Sequence, residues 1–487
     1  MRSARAALEI LGMQPIGDWK GKQITVVGAG RSGLAVAEVL HQLGAEVLVA
    51  DQKQPEQLPA TTIAKLREMG VSLRAPATPE NAFHPNTQLV VTSPGVPKQN
   101  SLLQCALQKG IPIWSEIELA YRLTDLPIVA ITGTNGKTTT TLLVAAMLKQ
   151  SDIPAIPCGN ISADEIKKTL VEAARQQDAA TPTVLVAEVS SFQLEWTQSF
   201  RPKIGVLTNI TADHLDRYAN LEEYAQTKAR LFAYQTAEDF AVLNADDPVT
   251  QTLNISDFPA TLCWFSAYRE PEGPIAAWRK GDWLFYRSPS TATIRLLALA
   301  DFPKSLPGIH SMENVLAAAI TALLLGANPE AVVEAVRRFK GVPHRMELVA
   351  ESEGIIYINN SMCTNIAAAV RSLEALSQPA IVIAGGAEKN LDFAPLTPAL
   401  LRHAKALVLI GEAAERMEQT FRKGGFQAIY RAASLDEAVH TAHSLASPGD
   451  IVMLSPACAS FDMFANFEAR GAAFRSAVKT LLEGHER

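Results

Sequence analysis

Short apolar runs rich in β-branched residues alternate with Ala- and Leu-rich stretches whose apolar positions recur at helical spacing. That alternation predicts an α/β protein built on parallel sheets with crossover helices. Residues 22–28 and 46–50 read as strands on either side of a helix at 33–43. Residues 126–132 open a second unit, whose first strand leads into a helix running to about 149. Strands at 184–189 and 204–210 and a helix at 222–232 follow. From about 260 to 305 the pattern becomes less regular and rich in Trp, Pro and Gly. Helices near 314–325 and 329–339 close this unit, and Gly341-Val342-Pro343 reads as a hinge. Strands at 354–358, 380–384, 406–410 and 450–454, separated by helical patterns, form a third. The expected domains are 1–124, 125–341 and 342–487. No fixed-period repeat and no long low-complexity segment interrupts them.

At 487 residues, 48% hydrophobic and 19% charged, the chain has the size and composition for several well-buried cores. Its formal charge of −6 gives no general attraction to nucleic acid or anionic membrane, so a phosphate ligand needs a local site. Cys105, Cys158, Cys263, Cys363 and Cys458 are scattered and form no C-x-x-C pair. A reducing compartment therefore fits better than a disulfide framework or zinc site. Glu9 interrupts the apolar stretch after Arg2 and Arg5, unlike a signal peptide, and the apolar run at 315–325 is too short to span a bilayer. The expectation is a soluble, cytoplasmic protein.

Two glycine motifs change the picture. Gly28-Ala29-Gly30-Arg31-Ser32-Gly33 is G-x-G-x-x-G between a strand and a helix, with Asp51 ending the next strand. Such a turn brings backbone N–H groups up to a diphosphate at a helix N-terminus. Alone it suggests an NAD-type oxidoreductase, but a nucleotide sugar also carries a diphosphate. The second motif follows the strand at 128–132: Gly133-Thr134-Asn135-Gly136-Lys137-Thr138, then a helix. This is a P-loop, with Lys137 placed for β/γ-phosphate oxygens and Thr138 for Mg²⁺. Its spacing departs from G-x-x-x-x-G-K-T, because Ile131 holds the leading glycine position. A dehydrogenase has no need of a P-loop, and a simple ATPase has no need of the first motif. An ATP-driven enzyme acting on a nucleotide-linked substrate uses both.

Further groups fall near the P-loop. Glu188 lies near a strand's C-terminal end, a Walker-B-like place for a Mg²⁺ ligand. Asp213-His214 follows the strand at 204–210, on the same expected sheet edge. Lys228, on pattern alone, reads as a surface lysine.

These segments together resemble the Mur ligase family, most of all its MurD-type branch. The carrying motifs are I-T-G-T-N-G-K-T from Ile131, C-G-N-I from Cys158, E-V-S-S-F-Q-L-E from Glu188 and T-A-D-H-L-D-R-Y from Thr211. The Lys228 helix, P-H-R-M-E from Pro343 and the long S-P-A-C-A-S-F-D-M-F-A-N-F-E-x-R-G from Ser455 complete them. The resemblance implies Rossmann-like first and third domains around a central P-loop ATPase domain. It implies a ligase that uses ATP to add D-glutamate to UDP-N-acetylmuramoyl-L-alanine through an acyl phosphate, in peptidoglycan precursor synthesis. The alternative is another amide ligase of the Mur/folylpolyglutamate family with a different amino acid or acceptor.

The resemblance further implies that Gly28, Gly30, Arg31, Ser32, Gly33, Gln52, Lys53 and Ser93 hold the UDP moiety. Asn160 and His214 would lie near its sugar–peptide end. ATP would meet Gly133, Thr134, Asn135, Gly136, Lys137, Thr138, Thr139, Asn314, Arg345 and Asn360. Two Mg²⁺ ions would be served by Thr138 and Glu188 and by His214 and a carbamylated Lys228. Thr364, Lys389, Ser460 and Phe467 would take the amino acid. Lys137, His214, Lys228 and Arg345 would carry the chemistry, with third-domain closure bringing Arg345 to the γ-phosphate. A monomer with no nucleic-acid partner and no membrane insertion is expected. The sequence departs from the family at Asn360 and Met362 in the usual D-S-K-x-T-N, at Ser311 in H-N-x-x-N, and at Ala387, usually acidic. A working ligase with an adjusted ATP pocket is expected.

Overall fold

A computed structural model describes residues 18–160, 168–175, 183–214, 217–254, 257–303, 305–306, 308–387 and 391–485. It divides into two compact units, one comprising 1–301 with 313–336, the other 302–312 with 337–487.

The first unit contains two sheets. The N-terminal one has five parallel strands in the order β3-β2-β1-β4-β5: β1 (Gln23–Val27), β2 (Glu46–Ala50), β3 (Ser72–Arg74), β4 (Leu89–Thr92) and β5 (Ile113–Ser115). The central strands β1 and β4 are buried along almost their whole length, as parallel strands covered on both faces must be. Helix Arg31–Gln42 starts directly after the glycine turn and buries Ala35, Val36, Val39 and Leu40.

The second sheet has nine strands: β6 (Ile128–Thr132), β7 (Ala155–Gly159), β8 (Val184–Glu188), β9 (Ile204–Leu207), β10 (Phe240–Asn244), β11 (Thr261–Ser266), β12 (Ala276–Lys280), β13 (Trp283–Ser288) and β14 (Thr291–Ala298). Their order is β14-β13-β12-β11-β10-β9-β6-β8-β7. Pairing is parallel from β7 through β12 and antiparallel through β13 and β14. The stretch at 260–305, expected to be irregular, therefore supplies strands β11 to β14. Short strands and a Gly281 turn at φ +61° hide their alternation in the sequence.

A buried carboxylate fastens β5 and its following helix to the loop before β9. Glu118 accepts the backbone N–H groups of Gln198, Ser199 and Phe200 at 2.9, 3.0 and 2.9 Å, the Ser199 hydroxyl at 2.6 Å and Arg122 Nε at 2.7 Å. Burial raises its pKa, but these donors outweigh burial and leave it below the usual carboxylate value. A depressed folded pKa gives stability that is full above the unfolded pKa and lost as pH falls through the folded one. Glu118→Gln is expected to cost about 3 kcal/mol at neutral pH. Its melting temperature should converge on that of the wild type in acid; a gap that stays constant from neutral to acid pH is the contrary result.

The second unit holds a six-stranded sheet in the order β15-β16-β20-β17-β18-β19. Its strands are β15 (Glu347–Ser352), β16 (Ile355–Asn359), β17 (Ala380–Gly385), β18 (Ala404–Ile410), β19 (Ile429–Arg431) and β20 (Ile451–Leu454). Only β15 runs antiparallel to its neighbour. Among the described residues, no helix is long and apolar enough to cross a membrane.

Candidate active site

The order of the nine-stranded sheet assembles the central site. β6 lies between β8 and β9, so the loops leaving their C-terminal ends share one edge. These loops carry the P-loop, Glu188 and the 208–214 segment, and β7 adds Asn160, whose N–H donates to Glu188 O at 2.9 Å.

Backbone sterics explain both P-loop glycines. Gly133 has φ +148°, and a Cβ there would sit 1.9 Å from Thr208 Oγ1. Gly136 caps the following helix Lys137–Gln150 in a left-handed conformation, φ +84°; a Cβ would meet Asn314 Oδ1 at 2.2 Å. Ile131, at the departed glycine position, is a fully buried β6 residue. The β9 loop braces the P-loop: Asn135 N–H donates to Asn209 Oδ1 at 3.0 Å, and Thr208 Oγ1 donates to Asn135 O at 2.6 Å. Thr134 Oγ1 donates to Thr211 O at 3.1 Å. Thr208 and Asn209 escaped the sequence reading, since their work lies in fixing backbone across two loops.

Lys137 folds over the loop and donates from Nζ to the carbonyls of Gly133 and Thr134, each at 2.9 Å. Thr138 Oγ1 donates to Glu188 Oε2 at 2.6 Å, and both residues are buried. Thr139 is buried on the same first turn, and Asn314 Oδ1 accepts from Thr140 Oγ1 at 3.4 Å.

Lys228, a surface residue on its sequence pattern, is 1% exposed. It occupies the inner face of helix Leu221–Ala229, one turn after the buried Tyr224, and its ammonium nitrogen lies 4.6 Å from that ring's centroid. Nζ donates to Gly133 O at 2.9 Å. Burial, reinforced by the charge of Lys137, holds its pKa well below the ordinary lysine value, with Asp213 and Glu188 pulling the other way. His214 has φ +54°, and its ring centroid lies 4.7 Å from that of Phe192 and 6.2 Å from that of Tyr224. Its Nε2 is 3.8 Å from Asp213 Oδ2.

Among the described residues, no three His, Cys, Asp or Glu side chains form a metal cage. Mg²⁺ does not require one, because it keeps waters and nucleotide oxygens beside one or two protein carboxylates. The paired Thr138 hydroxyl and Glu188 carboxylate suit that chemistry.

In the N-terminal sheet, Gly28 has φ +99°, and a Cβ on Gly33 would strike Gly28 O at 1.9 Å. Ser93 Oγ donates to Gly28 O at 3.1 Å. Asp51 accepts the N–H groups of Ala29 and Lys53 at 2.8 and 2.9 Å, so the acid that an NAD-type reading assigns to a ribose is engaged in fixing the turn. Gln52 exchanges hydrogen bonds with Asn100 and Ser101. Gly30 and Arg31 are exposed, Ser32 is half-buried, and Lys53 is exposed.

In the second unit, Asn360 is 3% exposed; its amide donates to Ser372 Oγ at 2.8 Å and Ser455 Oγ at 3.3 Å, and its Oδ1 accepts Met346 N–H at 3.2 Å. Arg345 follows the fully buried His344, and both His344 and Met346 have positive φ. Arg470, which the sequence reading passed over within the C-terminal motif, is 1% exposed and donates to Ser361 Oγ and O and to the carbonyls of Cys458 and Ala459. Ser361 Oγ in turn donates to Phe467 O at 2.8 Å. The loop bearing Thr364, the 458–460 segment and Phe467 are thus drawn together. Burial lowers the Arg470 pKa to about 10, still fully charged at neutral pH. Lys389 and the adjacent 388 and 390 lie outside the described residues.

A phosphate loop at the strand ends of a parallel sheet, with a buried Thr–Glu pair beside it, defines an α/β protein of the P-loop nucleotide-using class. Models of the Mur ligase MurD-like N-terminal domain, the Mur ligase middle domain and the Mur ligase glutamate ligase domain match residues 22–115, 131–322 and 344–458. A UDP-N-acetylmuramoylalanine–D-glutamate ligase of Pelotomaculum thermopropionicum is 42% identical over 467 residues, 96% of this chain and 99% of the relative. One from Bacillus cytotoxicus is 38% identical over 470 residues, 96% of this chain and all of the relative, 100%. The chain belongs to the Mur ligase family. The fold agrees: UDP-N-acetylmuramate–alanine ligase of Thermotoga maritima superposes with a TM-score of 0.58 at 20% identity, covering 94% of this chain and 99% of the other. A MurF ligase of Thermotoga maritima, solved with ADP, gives 0.57 at 14% identity over 96% of each.

Proposed function

We infer that the chain is an ATP-dependent ligase that joins D-glutamate to UDP-N-acetylmuramoyl-L-alanine in peptidoglycan synthesis. The observation that carries this reading is identity of about two-fifths over nearly the whole length to ligases of that name. A P-loop beside Glu188 and the His214 loop, with the Lys228 amine donating to Gly133 O, supports it. The three domains are taken as 1–124, 125–341 and 342–487, and the working form as a cytoplasmic monomer.

A carboxylate is a poor electrophile towards an amine. Transfer of the ATP γ-phosphoryl group to it gives an acyl phosphate, which the D-glutamate amine attacks, with loss of phosphate and a proton to form the amide. The substrate carboxylate and triphosphate repel each other as they meet. Lys137 and Arg345 offset that repulsion. Thr138 with Glu188, and His214 with Lys228 as its carbamate, would hold two Mg²⁺ ions, which when bound neutralise phosphate charge. The turn from Gly28 to Gly33, with Arg31, Ser32, Gln52, Lys53 and Ser93, would hold the UDP moiety, and Asn160 with His214 the sugar–peptide end. Gly133 to Thr139, Asn314 and Asn360 would serve ATP; Thr364, Lys389, Ser460 and Phe467 would take the amino acid.

The test is phosphate release with ATP, Mg²⁺ and UDP-N-acetylmuramoyl-L-alanine, offering D-glutamate, L-glutamate and other amino acids. Release should depend on both substrates, with a product heavier by one glutamate residue. Turnover with a different amino acid alone would favour another ligase of the family.

A further inference from the structure

Three residues in two of the motifs have no part in the chemistry above: Glu195, which closes E-V-S-S-F-Q-L-E, and Arg217 and Tyr218, which close T-A-D-H-L-D-R-Y. They meet in space. Arg217 grips Glu195 fork to fork, Nε to Oε1 at 3.0 Å and NH2 to Oε2 at 2.6 Å, while the Tyr218 hydroxyl donates to Oε1 at 2.9 Å. The arginine side chain is 11% exposed and the glutamate side chain 1%. A second set of guanidinium N–H bonds reaches the N-terminal sheet, donating to the carbonyls of Pro94 at 2.8 Å and Val96 at 3.0 Å.

Both ends of this contact lead to proposed ligand positions. Ser93, next to Pro94, donates to Gly28 O, and Val96 Cγ2 would lie 3.0 Å from a Cβ built on Gly28, so the 93–96 loop is the wall of the glycine turn. At the other end the guanidinium lies 4.0 Å from the centroid of Phe192, and that same ring is 4.7 Å from the His214 imidazole. One side chain therefore fixes the backbone behind the Gly28 turn and the platform on which His214 rests.

We propose that Arg217 is a positioning residue that sets the Gly28 turn and the His214 loop in register, so that UDP-substrate binding and metal use depend on it together. Its planar fork makes this possible: four hydrogen bonds leave it in two directions while its face lies on an aromatic ring. Lysine keeps the charge but is a point donor that cannot reproduce the geometry. Buried arginine–glutamate pairs add little net stability compared with well-packed apolar replacements. Specific positioning therefore gives a reason for this pair beyond holding the fold.

The proposal rests on the assignment of the Gly28 turn to UDP and of His214 to metal. The experiment uses full-length Arg217→Lys and measures three constants. These are the Kd for UDP-N-acetylmuramoyl-L-alanine without ATP, the Mg²⁺ concentration for half-maximal phosphate release, and the KM for ATP. The first should rise about tenfold and the second several-fold, while the third stays within about twofold. A folded variant in which either of the first two is unchanged overturns the proposal. So does one in which all three worsen alike, the mark of general loosening. Should Arg217→Lys fail to fold, Glu195→Gln is read by the same criteria. Ser93→Ala and His214→Ala separate the underlying assignment: if the first leaves the Kd and the second the Mg²⁺ requirement unchanged, the assignment of those sites fails, whatever the arginine does.

Discussion

Replacing Lys137 by alanine is expected to lower kcat by about 10³-fold, with little change in the Kd for the UDP-linked substrate. The geometry sets this expectation. The ammonium group lies over the loop, 2.9 Å from the carbonyls of Gly133 and Thr134, at the start of a helix whose N-terminus favours anions. Those carbonyl contacts hold the side chain near the place a phosphate would take, at the cost of weak interactions that a phosphate oxygen replaces. The loop does not depend on the lysine for its shape, because Thr208, Asn209 and Thr211 brace it from the β9 side. Alanine should therefore remove charge and leave the fold. Single-turnover phosphoryl transfer measured beside calorimetry of the UDP-linked substrate checks this. Retention of more than about a tenth of wild-type kcat would move phosphate neutralisation to other groups, whereas a lost melting transition would show that the lysine is structural.

Much of this architecture can be read in the sequence because parallel strands buried on both faces appear as unbroken apolar runs. β6, β8 and β9 are such runs, and the groups of the central site follow them directly. Strands β12 to β14 were less legible. They are an antiparallel edge in which Arg287 lies over Trp278 and Arg295 over Trp283, so charge is interleaved with large apolar side chains. On its pattern alone Lys228 reads as a surface lysine, for a different reason. The helix places it at i+4 from Tyr224, on the buried face, a signal present in the spacing. A charged residue on an apolar stripe is usually a long side chain reaching solvent, and only the structure shows Nζ stopping at Gly133 O. Glu118, Arg217 and Arg470 act through backbone groups far away in sequence, and local patterns do not encode such contacts. Asn360 illustrates the limit from the other side. The motif compares it with an aspartate, but burial engages its amide with Ser372, Ser455 and Met346 inside its own domain.

The buried lysine yields the second large effect. Its low-dielectric position and the neighbouring Lys137 disfavour the ammonium form of Lys228 and hold its pKa well below the ordinary lysine value. A neutral primary amine adds CO₂, forming an N–C bond and releasing one proton, so a carbamate at Lys228 would place an anion where burial and Lys137 disfavour a cation. That anion would be attracted by Lys137 and would supply oxygen donors for Mg²⁺ near Glu188 and His214. Arginine at 228 stays protonated and cannot make the adduct, so Lys228→Arg should lose about 10²- to 10³-fold in kcat. Wild-type enzyme stripped of CO₂ at mildly acidic pH and returned to CO₂-free neutral buffer should start with low activity that recovers on adding bicarbonate. The pH dependence has a definite sign: lower pH protonates the amine and releases CO₂, so activity lost on acidification returns with a lag set by re-addition. The Lys228→Arg enzyme should show neither the bicarbonate response nor the lag. Full activity in that variant, or wild-type activity indifferent to bicarbonate after stripping, would leave the buried amine acting as an amine, with no carbamate among the metal-holding groups.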